Sequence, residues 1–151
     1  MTPIIVLDST PLGLLFQQPK IAQADACREW LKRKLAGGVR IIVPEIVHYE
    51  LRRELLRLQK LREEGALVAF GSAAKGRFLP IDTAAMNLAA ELWARSRRHG
   101  KTTAHPHALD IDVILAAQVL SAGYQPADFV VATSNVSHLS QFVPAAPWET
   151  L

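Results

Sequence analysis

The chain has 151 residues, of which 50% are hydrophobic and 21% charged, so it is long enough to bury its own core and too apolar for a disordered chain. We expect one domain over residues 1–151. The single cysteine, Cys27, excludes an intramolecular disulfide and suits a reducing cytosol. Neither the basic start of a secretory signal nor the ~18 apolar residues of a membrane span is present, so we expect a cytoplasmic protein without membrane contact. The net charge of +3 permits a polyanionic partner without requiring one.

Three short runs that are almost entirely apolar predict β-strands, at residues 3–7, 39–43 and 129–132. Continuous rather than alternating apolar character is typical of strands buried on both faces of a parallel sheet. The segments between them follow helical patterns whose limits are marked by glycine, proline and capping residues. In chain order we predict a helix over 22–36, a long helix from Pro44 to about Glu64, an irregular segment over 65–76, a candidate short strand over 77–81, a helix from Asp82 or Thr83 to about His99, a helix over 109–122 and an extended C-terminal stretch.

This alternation of strands and helices predicts an α/β fold in which helices cover both faces of a mainly parallel sheet. In such folds, ligands bind beyond the carboxyl ends of the strands. Polar residues that follow a strand are therefore the first candidates for a functional site.

Acidic residues occur at places that this fold would bring to one edge of the sheet. Asp8 directly follows the first strand, where it either faces a site or caps a short helix. Glu50 lies two turns into the long helix, where it either reaches the site or forms a surface pair with Arg53 or Arg57. We interpret Glu54, four residues further on, as a surface partner of the neighbouring arginines.

Asp110 and Asp112 are two residues apart, which on a helix places them roughly 200° apart, so both cannot face one point if both are helical. If Asp110 caps the helix, Asp112 projects from an otherwise apolar segment, 113–117. A buried carboxylate is costly unless it is paired or bound to a metal, which favours a functional role for Asp112.

Asn135, Ser137 and His138 follow the last strand, where they either face the site or form a turn and a helix cap. Carboxylates gathered at one edge repel one another and raise one another's pKa, and a divalent cation relieves that repulsion. Oxygen ligands favour Mg²⁺ or Mn²⁺ over zinc. A cation held with open coordination positions can activate water and neutralise charge on a phosphodiester.

Segments 5–9, 43–51, 109–117 and 129–139 read IVLDS, VPEIVHYEL, LDIDVILAA and FVVATSNVSHL. In this order and spacing they resemble the PIN-domain family, especially the VapC-like toxins of type II toxin–antitoxin systems. The resemblance runs over nearly the whole chain. It implies a three-layer α/β/α sandwich and a metal-dependent endoribonuclease.

By matching position, the resemblance implies that Asp8, Glu50 and Asp112 are the central carboxylates that hold Mg²⁺ or Mn²⁺. Asp110 would be an accessory ligand or a helix cap. The sequence departs from the family at the fourth acidic position, where Asn135 stands at one usual site and His138 at the other. Asn135 still offers a carbonyl oxygen as a ligand, but neither residue adds negative charge.

Substrate-positioning roles are assigned in the same way. Thr133 or Ser134 would hold a metal-bound water or a phosphate oxygen, and His138 and Arg98 would position RNA. Arg98 belongs to a basic cluster over 95–101, and a second cluster lines 52–62; both are alternatively solvated helix faces. His105 and His107 either approach the metal or are polar surface residues.

The resemblance also implies partners: a cognate antitoxin protein, a second copy of the chain in a homodimer, and an RNA substrate that is a tRNA, an mRNA or an rRNA. The neutral residues at the fourth acidic position keep a second hypothesis open. In it, the chain is a catalytically weak or inactive PIN fold that binds RNA or a protein partner. A DNA-directed nuclease or a metal-dependent phosphatase on a similar scaffold is a third hypothesis.

Overall fold

Five parallel strands form the centre of the molecule in a computed structural model that describes residues 3–18, 20–100 and 106–151, with only the backbone described for 106 and 107. The strand bounds are β1 Ile4–Leu7, β2 Arg40–Pro44, β3 Phe78–Leu79, β4 Phe129–Ala132 and β5 Ala145–Ala146. Their order across the sheet is β3-β2-β1-β4-β5, with β1 in the middle. Each neighbouring pair runs parallel, as the sequence predicts.

Helices cover both faces of this sheet. Ile5, Val6 and Leu7 are consecutive residues of β1, and all three are buried. Because consecutive strand residues point to opposite faces, burial of all three requires packing on both sides. The arrangement is the expected three-layer α/β/α sandwich.

The helices of the described residues agree with the sequence prediction at most positions. Their bounds are α1 Ser9–Leu15, α2 Ala22–Ala36, α3 Glu45–Arg57, α4 Leu61–Ser72, α5 Thr83–Arg98, α6 Pro106–Ser121 and α7 Val136–Leu139, with a 3₁₀ turn at Trp148–Thr150. The predicted helix over 22–36 is confirmed, and Asp82 caps α5 by accepting a hydrogen bond from the backbone N–H of Ala85 at 2.8 Å. No helix within these ranges is long and apolar enough to cross a membrane.

The predicted long helix from Pro44 to about Glu64 is wrong, because the chain breaks it into α3 and α4. Gln59 has a φ of 57°, and its N–H bonds the carbonyl of Leu56 while the N–H of Lys60 bonds that of Leu55. These two bonds form a Schellman motif, which normally carries glycine at the left-handed position. Gly65, expected to end the long helix, lies inside α4, so the prediction of irregular structure over 65–76 is also wrong for most of that segment.

The C-terminal segment is pinned to α2 rather than simply extended. After β5, Trp148 packs against Trp30 with ring centroids 5.6 Å apart. The indole N–H of Trp30 donates to the carbonyl of Leu151 at 3.2 Å. These contacts hold the C-terminal segment against α2.

Candidate metal centre at the carboxyl ends of β1 and β4

The sheet order creates a crevice at the carboxyl ends of β1 and β4. From β1 the chain continues to β2 on one side, and it returns later to β4 on the other side. Ligands of parallel α/β folds bind at such a switch in strand order. A pocket of about 220 Å³ lies there, lined by residues of α1, α3 and α6 and of the segments that follow β1 and β4: Asp8, Ser9, Thr10, Glu50, Ala108, Ile111, Asp112, Ser134 and Asn135.

Asp8 is held at the floor of this pocket by two hydrogen bonds and is only 6% exposed. Its Oδ1 accepts from the backbone N–H of Ser9 at 2.7 Å, and its Oδ2 accepts from the Thr133 hydroxyl at 2.7 Å. Thr133 Oγ1 in turn accepts from the backbone N–H of Asn135 at 2.8 Å. Burial raises the pKa of Asp8, and the bonds from Thr133 and Ser9 oppose that rise. Asp8 thus caps α1, as one of its sequence interpretations has it, and it also lines the pocket.

Asp112 lies in the interior of α6 and is 5% exposed. Its buried Oδ2 has no hydrogen-bond partner among the described residues. Burial, followed by the negative charges of Asp8 and Glu50, raises the pKa of Asp112 to about 7. A buried carboxylate that has an oxygen without a partner and shares a pocket with two further carboxylates favours the binding of a cation.

Glu50 reaches the same pocket from α3, where it is half-buried. The arginines considered as its surface partners are engaged elsewhere. Arg57 bonds to Glu54, and the guanidinium of Arg53 lies over the ring of Tyr49, 5.1 Å from its centroid. Glu54 is therefore the exposed surface partner that the sequence suggests.

The donor set of the pocket fits a hard divalent cation. Three carboxylates line it together with Ser134 and Asn135, and among the residues that the structure describes, no lysine or arginine lines the pocket. Within the described ranges, no three histidine, cysteine or acidic side chains are already close enough to enclose an ion. Mg²⁺ does not require such a cage, since it keeps several waters and uses one or two protein carboxylates.

Asp110 does not lie in this pocket. It is exposed, and it lines two clefts on other sides of α6, one with Met86 and Trp93 of α5 and the other with Arg53 of α3. The interpretation of Asp110 as a helix cap is wrong, because α6 already begins at Pro106. With both residues inside the helix, the ~200° between positions two apart directs Asp110 away from Asp112.

The other predicted site residues divide into two groups. Ser134 and Asn135 line the pocket, and the Ser134 hydroxyl bonds that of Thr10 at 2.8 Å. His138 is half-buried in α7 and Arg98 is exposed at the end of α5, and neither is among the residues that line the pocket. His105 and the side chain of His107 lie outside the described part of the chain.

Sequence reasoning missed Thr10 as a pocket residue. Thr10 follows β1 by three residues, so the rule that selects residues beyond the carboxyl end of a strand would have included it. Its polar hydroxyl at the pocket mouth, bonded to Ser134, joins the β1 and β4 sides of the crevice.

Comparison with known proteins shows which solved structures share the fold of the chain. No protein-family model and no curated protein sequence matches the chain. Among solved structures, FitAcB from Neisseria gonorrhoeae matches with a TM-score of 0.67 and 20% identity, covering 97% of this chain and 99% of that chain. VapBC2 from Rickettsia felis, bound to a DNA fragment from their promoter, matches with a TM-score of 0.70 and 16% identity over 96% and 98%. DNA-bound VapBC from Salmonella typhimurium matches with a TM-score of 0.66 and 19% identity over 98% and 99%.

These likenesses extend over nearly the whole of both chains, so the fold is shared from end to end. The resemblance to VapC-like PIN domains is confirmed at the level of fold, and the PIN-like three-layer sandwich is the architecture of this chain. At 16–20% identity the likeness carries the fold alone. Activity, metal and partners have to be argued from the site.

Proposed function

We propose that the chain is a Mg²⁺- or Mn²⁺-dependent endoribonuclease and the toxin of a VapBC-type toxin–antitoxin pair. One observation carries the proposal: Asp112, whose buried Oδ2 has no partner, shares the pocket with Asp8 and Glu50, and none of the described residues that line this pocket is a lysine or arginine. A protein has little structural use for such a group, because an uncompensated buried charge lowers stability. A cation that neutralises it gives the arrangement a purpose.

In this proposal Asp8, Glu50 and Asp112 hold the cation, and the side-chain oxygen of Asn135 is a further neutral ligand. Once bound, the metal would lower the pKa of a coordinated water and neutralise charge on the phosphodiester. Thr133 fixes the orientation of Asp8 through its 2.7 Å hydrogen bond. The hydroxyls of Thr10 and Ser134 stand at the pocket mouth, where either can donate to a phosphate oxygen.

RNA is the polyanion we expect at this site. Arg53 lines a cleft that shares Ile111 with the acidic pocket. The positive charge of Arg53 therefore lies near the carboxylates but outside their pocket. The net charge of +3 favours approach of a phosphate backbone. An assay that compares tRNA, mRNA and rRNA substrates would identify the class of RNA that is cleaved.

Partner surfaces form the second part of the proposal. The neighbours in structure are toxin–antitoxin complexes by name, and we extend an antitoxin partner to this chain. An apolar groove of about 470 Å³ between α3 and α4, with Tyr49, Leu56 and Val68 in its lining, is available to such a partner. The apolar cleft of Met86 and Trp93 beside α6 supports the homodimer. The cytoplasmic location stays a prediction.

The test is cleavage of labelled total tRNA and short single-stranded RNA in Mg²⁺, in Mn²⁺ and in EDTA. Wild type should cut only with metal, and Asp8→Asn and Asp112→Asn should abolish cutting. Asp110→Asn is the matched control, because Asp110 lies on the same helix as Asp112 but outside the pocket. If Asp110→Asn is as inactive as Asp112→Asn, the assignment of the pocket is wrong.

A second candidate function rests on Asn135, which lines the pocket where the family pattern has an acid. With one negative charge fewer, a PIN fold can bind RNA or a protein partner and turn over weakly or not at all. This alternative predicts metal-independent RNA binding by wild type and no cleavage under conditions in which a known PIN nuclease cuts. Asn135→Asp should then create or raise metal-dependent cleavage.

A further inference from the structure

The helix that carries Glu50 begins without a cap of its own. At the N-terminus of α3 the capping position is Pro44, whose side chain makes no capping hydrogen bond. The first amides of a helix need acceptors, and serine, threonine or aspartate usually supplies one. Here the acceptor comes from another helix: the Oε1 of Gln118, in α6, accepts from the backbone N–H of Ile46 at 3.1 Å.

Gln118 is placed to act as a rigid strut. It is 1% exposed, and its Nε2 donates to the carbonyl of Leu79, at the end of β3, at 2.7 Å. Both ends of its amide are therefore bonded, to two different elements. A buried amide satisfied in this way fixes its surroundings, since leaving either partner unpaired is costly.

The two helices that Gln118 joins carry two of the three pocket carboxylates. Glu50 lies one turn beyond Ile46 on α3, and Asp112 lies six residues before Gln118 on α6. Along a helix these separations are about 6 Å and about 9 Å. A shift of α3 along α6 would therefore change the distance between the carboxylates of Glu50 and Asp112.

We propose that Gln118 is a positioning residue: by capping α3 from α6, it sets the spacing between Glu50 and Asp112 that the cation requires. The role rests on the proposed metal site. It deepens that site by assigning a supporting residue outside the pocket. Groups that orient ligands from outside a metal site typically change affinity by ~10–100-fold when they are removed.

The experiment measures Mn²⁺ affinity by electron paramagnetic resonance, together with the thermal midpoint of each variant without metal. Gln118→Met keeps the size of the side chain and removes both hydrogen bonds, and it should weaken Mn²⁺ binding by about tenfold or more. Val119→Ala is the matched control, because Val119 is the next residue of α6, is fully buried and makes no such bond. It should lower the thermal midpoint and leave Mn²⁺ affinity unchanged.

Gln118→Glu is the rescue variant. It keeps an acceptor for the Ile46 N–H, which a carboxylate at a helix N-terminus serves well, and it lacks the donor for Leu79. Because the proposal assigns the spacing to the Ile46 bond, this variant should bind Mn²⁺ more tightly than Gln118→Met. The positioning role is refuted if Gln118→Met binds Mn²⁺ as tightly as wild type does. It is also refuted if Val119→Ala, at an equal loss of thermal midpoint, loses as much Mn²⁺ affinity as Gln118→Met.

Amide hydrogen exchange separates failure of this inference from failure of the proposed function. If wild type binds no Mn²⁺, the proposed metal site falls. The strut is then judged by exchange at the first turn of α3, which should lose protection in Gln118→Met and keep it in Val119→Ala. Equal protection in the two variants would overturn the strut without reference to any metal.

Discussion

Replacing Asp112 by asparagine should stabilise the metal-free protein while destroying its proposed activity. In the folded chain the pKa of Asp112 is raised from 3.8 to about 7, first by burial and then by the charges of Asp8 and Glu50. Between those two values the unfolded carboxyl has lost its proton and the folded one keeps it, so wild-type stability falls as pH rises through this window. The loss is complete above about pH 7 and amounts to at most ~4 kcal/mol, at about 1.4 kcal/mol for each pH unit.

The net gain in Asp112→Asn is smaller than that limit. The new amide is itself a buried polar group short of partners, which costs ~1–3 kcal/mol. We therefore expect a gain of about 2 kcal/mol at pH 8 in EDTA. A domain of this size changes its thermal midpoint by about 2–4 °C for each kcal/mol, so the midpoint should rise by roughly 4–8 °C.

Urea unfolding at pH 8 and pH 6 tests the cause of this gain. Because wild type recovers part of its stability when Asp112 takes up a proton, the difference between the two proteins should be smaller at pH 6 by about 1.4 kcal/mol. Asp110→Asn, on the same helix but exposed, should change stability little at either pH.

Metal provides the second half of the test. Excess Mg²⁺ or Mn²⁺ should raise the stability of wild type by mass action and leave Asp112→Asn almost unchanged. An Asp112→Asn protein no more stable than wild type at pH 8 would mean that the carboxylate is solvated or paired. Equal stabilisation of both proteins by metal would remove Asp112 from the ligand set.

Three further predictions address separate parts of the molecule. Thr133→Val removes the hydroxyl that donates to Asp8, so the pKa of Asp8 should rise further. The acid limb of the rate-against-pH profile should then move to higher pH, by about one unit for each ~1.4 kcal/mol of hydrogen-bond stabilisation lost. An acid limb that stays in place would mean that this hydrogen bond does not affect the reaction. Glu50→Gln should slow RNA cleavage by about tenfold or more, which is equivalent to ~1.4 kcal/mol of transition-state stabilisation. Glu54 is exposed beside Arg57, so Glu54→Gln should cleave as wild type does. Equal rates for the two variants would place Glu50 outside the site. Met86→Glu should convert a dimer to a monomer in size-exclusion chromatography with light scattering. Because Met86 is 45% exposed in the single chain, the thermal midpoint should fall only by the stabilisation that dimerisation provides, and wild type and variant should have the same midpoint at protein concentrations low enough to dissociate the dimer. A wild-type monomer would contradict the dimer itself.

The sheet could be predicted because its signal is local. The runs at the first, second and fourth strands are apolar at every consecutive position except Arg40, which is typical of a sheet covered on both faces. The break between α3 and α4 could not be predicted in this way. Its left-handed residue is Gln59, and glycine, the usual marker of such a helix end, stands six residues later inside α4. Backbone hydrogen bonding therefore ends α3 without a glycine that would reveal the helix end in the sequence.

The site could be predicted as far as the edge-of-sheet rule extends. Asp8 follows β1 directly, and Ser134 and Asn135 lie two and three residues after β4, so the rule finds them without knowledge of the tertiary structure. The positions of Asp110 and Asp112 relative to the site could not be predicted without knowing where α6 begins. The helix begins at Pro106, several residues before the apolar run from which it was predicted. Gln118 was beyond reach, since its role depends on the α3 amide that it meets across the core.

The two aspartates of the pocket are prepared for a cation in opposite ways. Asp8 already accepts hydrogen bonds from Thr133 and from the Ser9 amide, and these bonds offset part of the cost that burial imposes on its negative charge. Asp112 has one oxygen without a partner and a pKa near neutrality, so it gains most from a metal and gives up a proton when one binds below that pH. A fully hydrogen-bonded pair would fold more stably but would bind a cation less well, because each ligand would have to exchange an existing bond for a metal contact. One fixed carboxylate and one unsatisfied carboxylate give the pocket both a defined geometry and a driving force for binding.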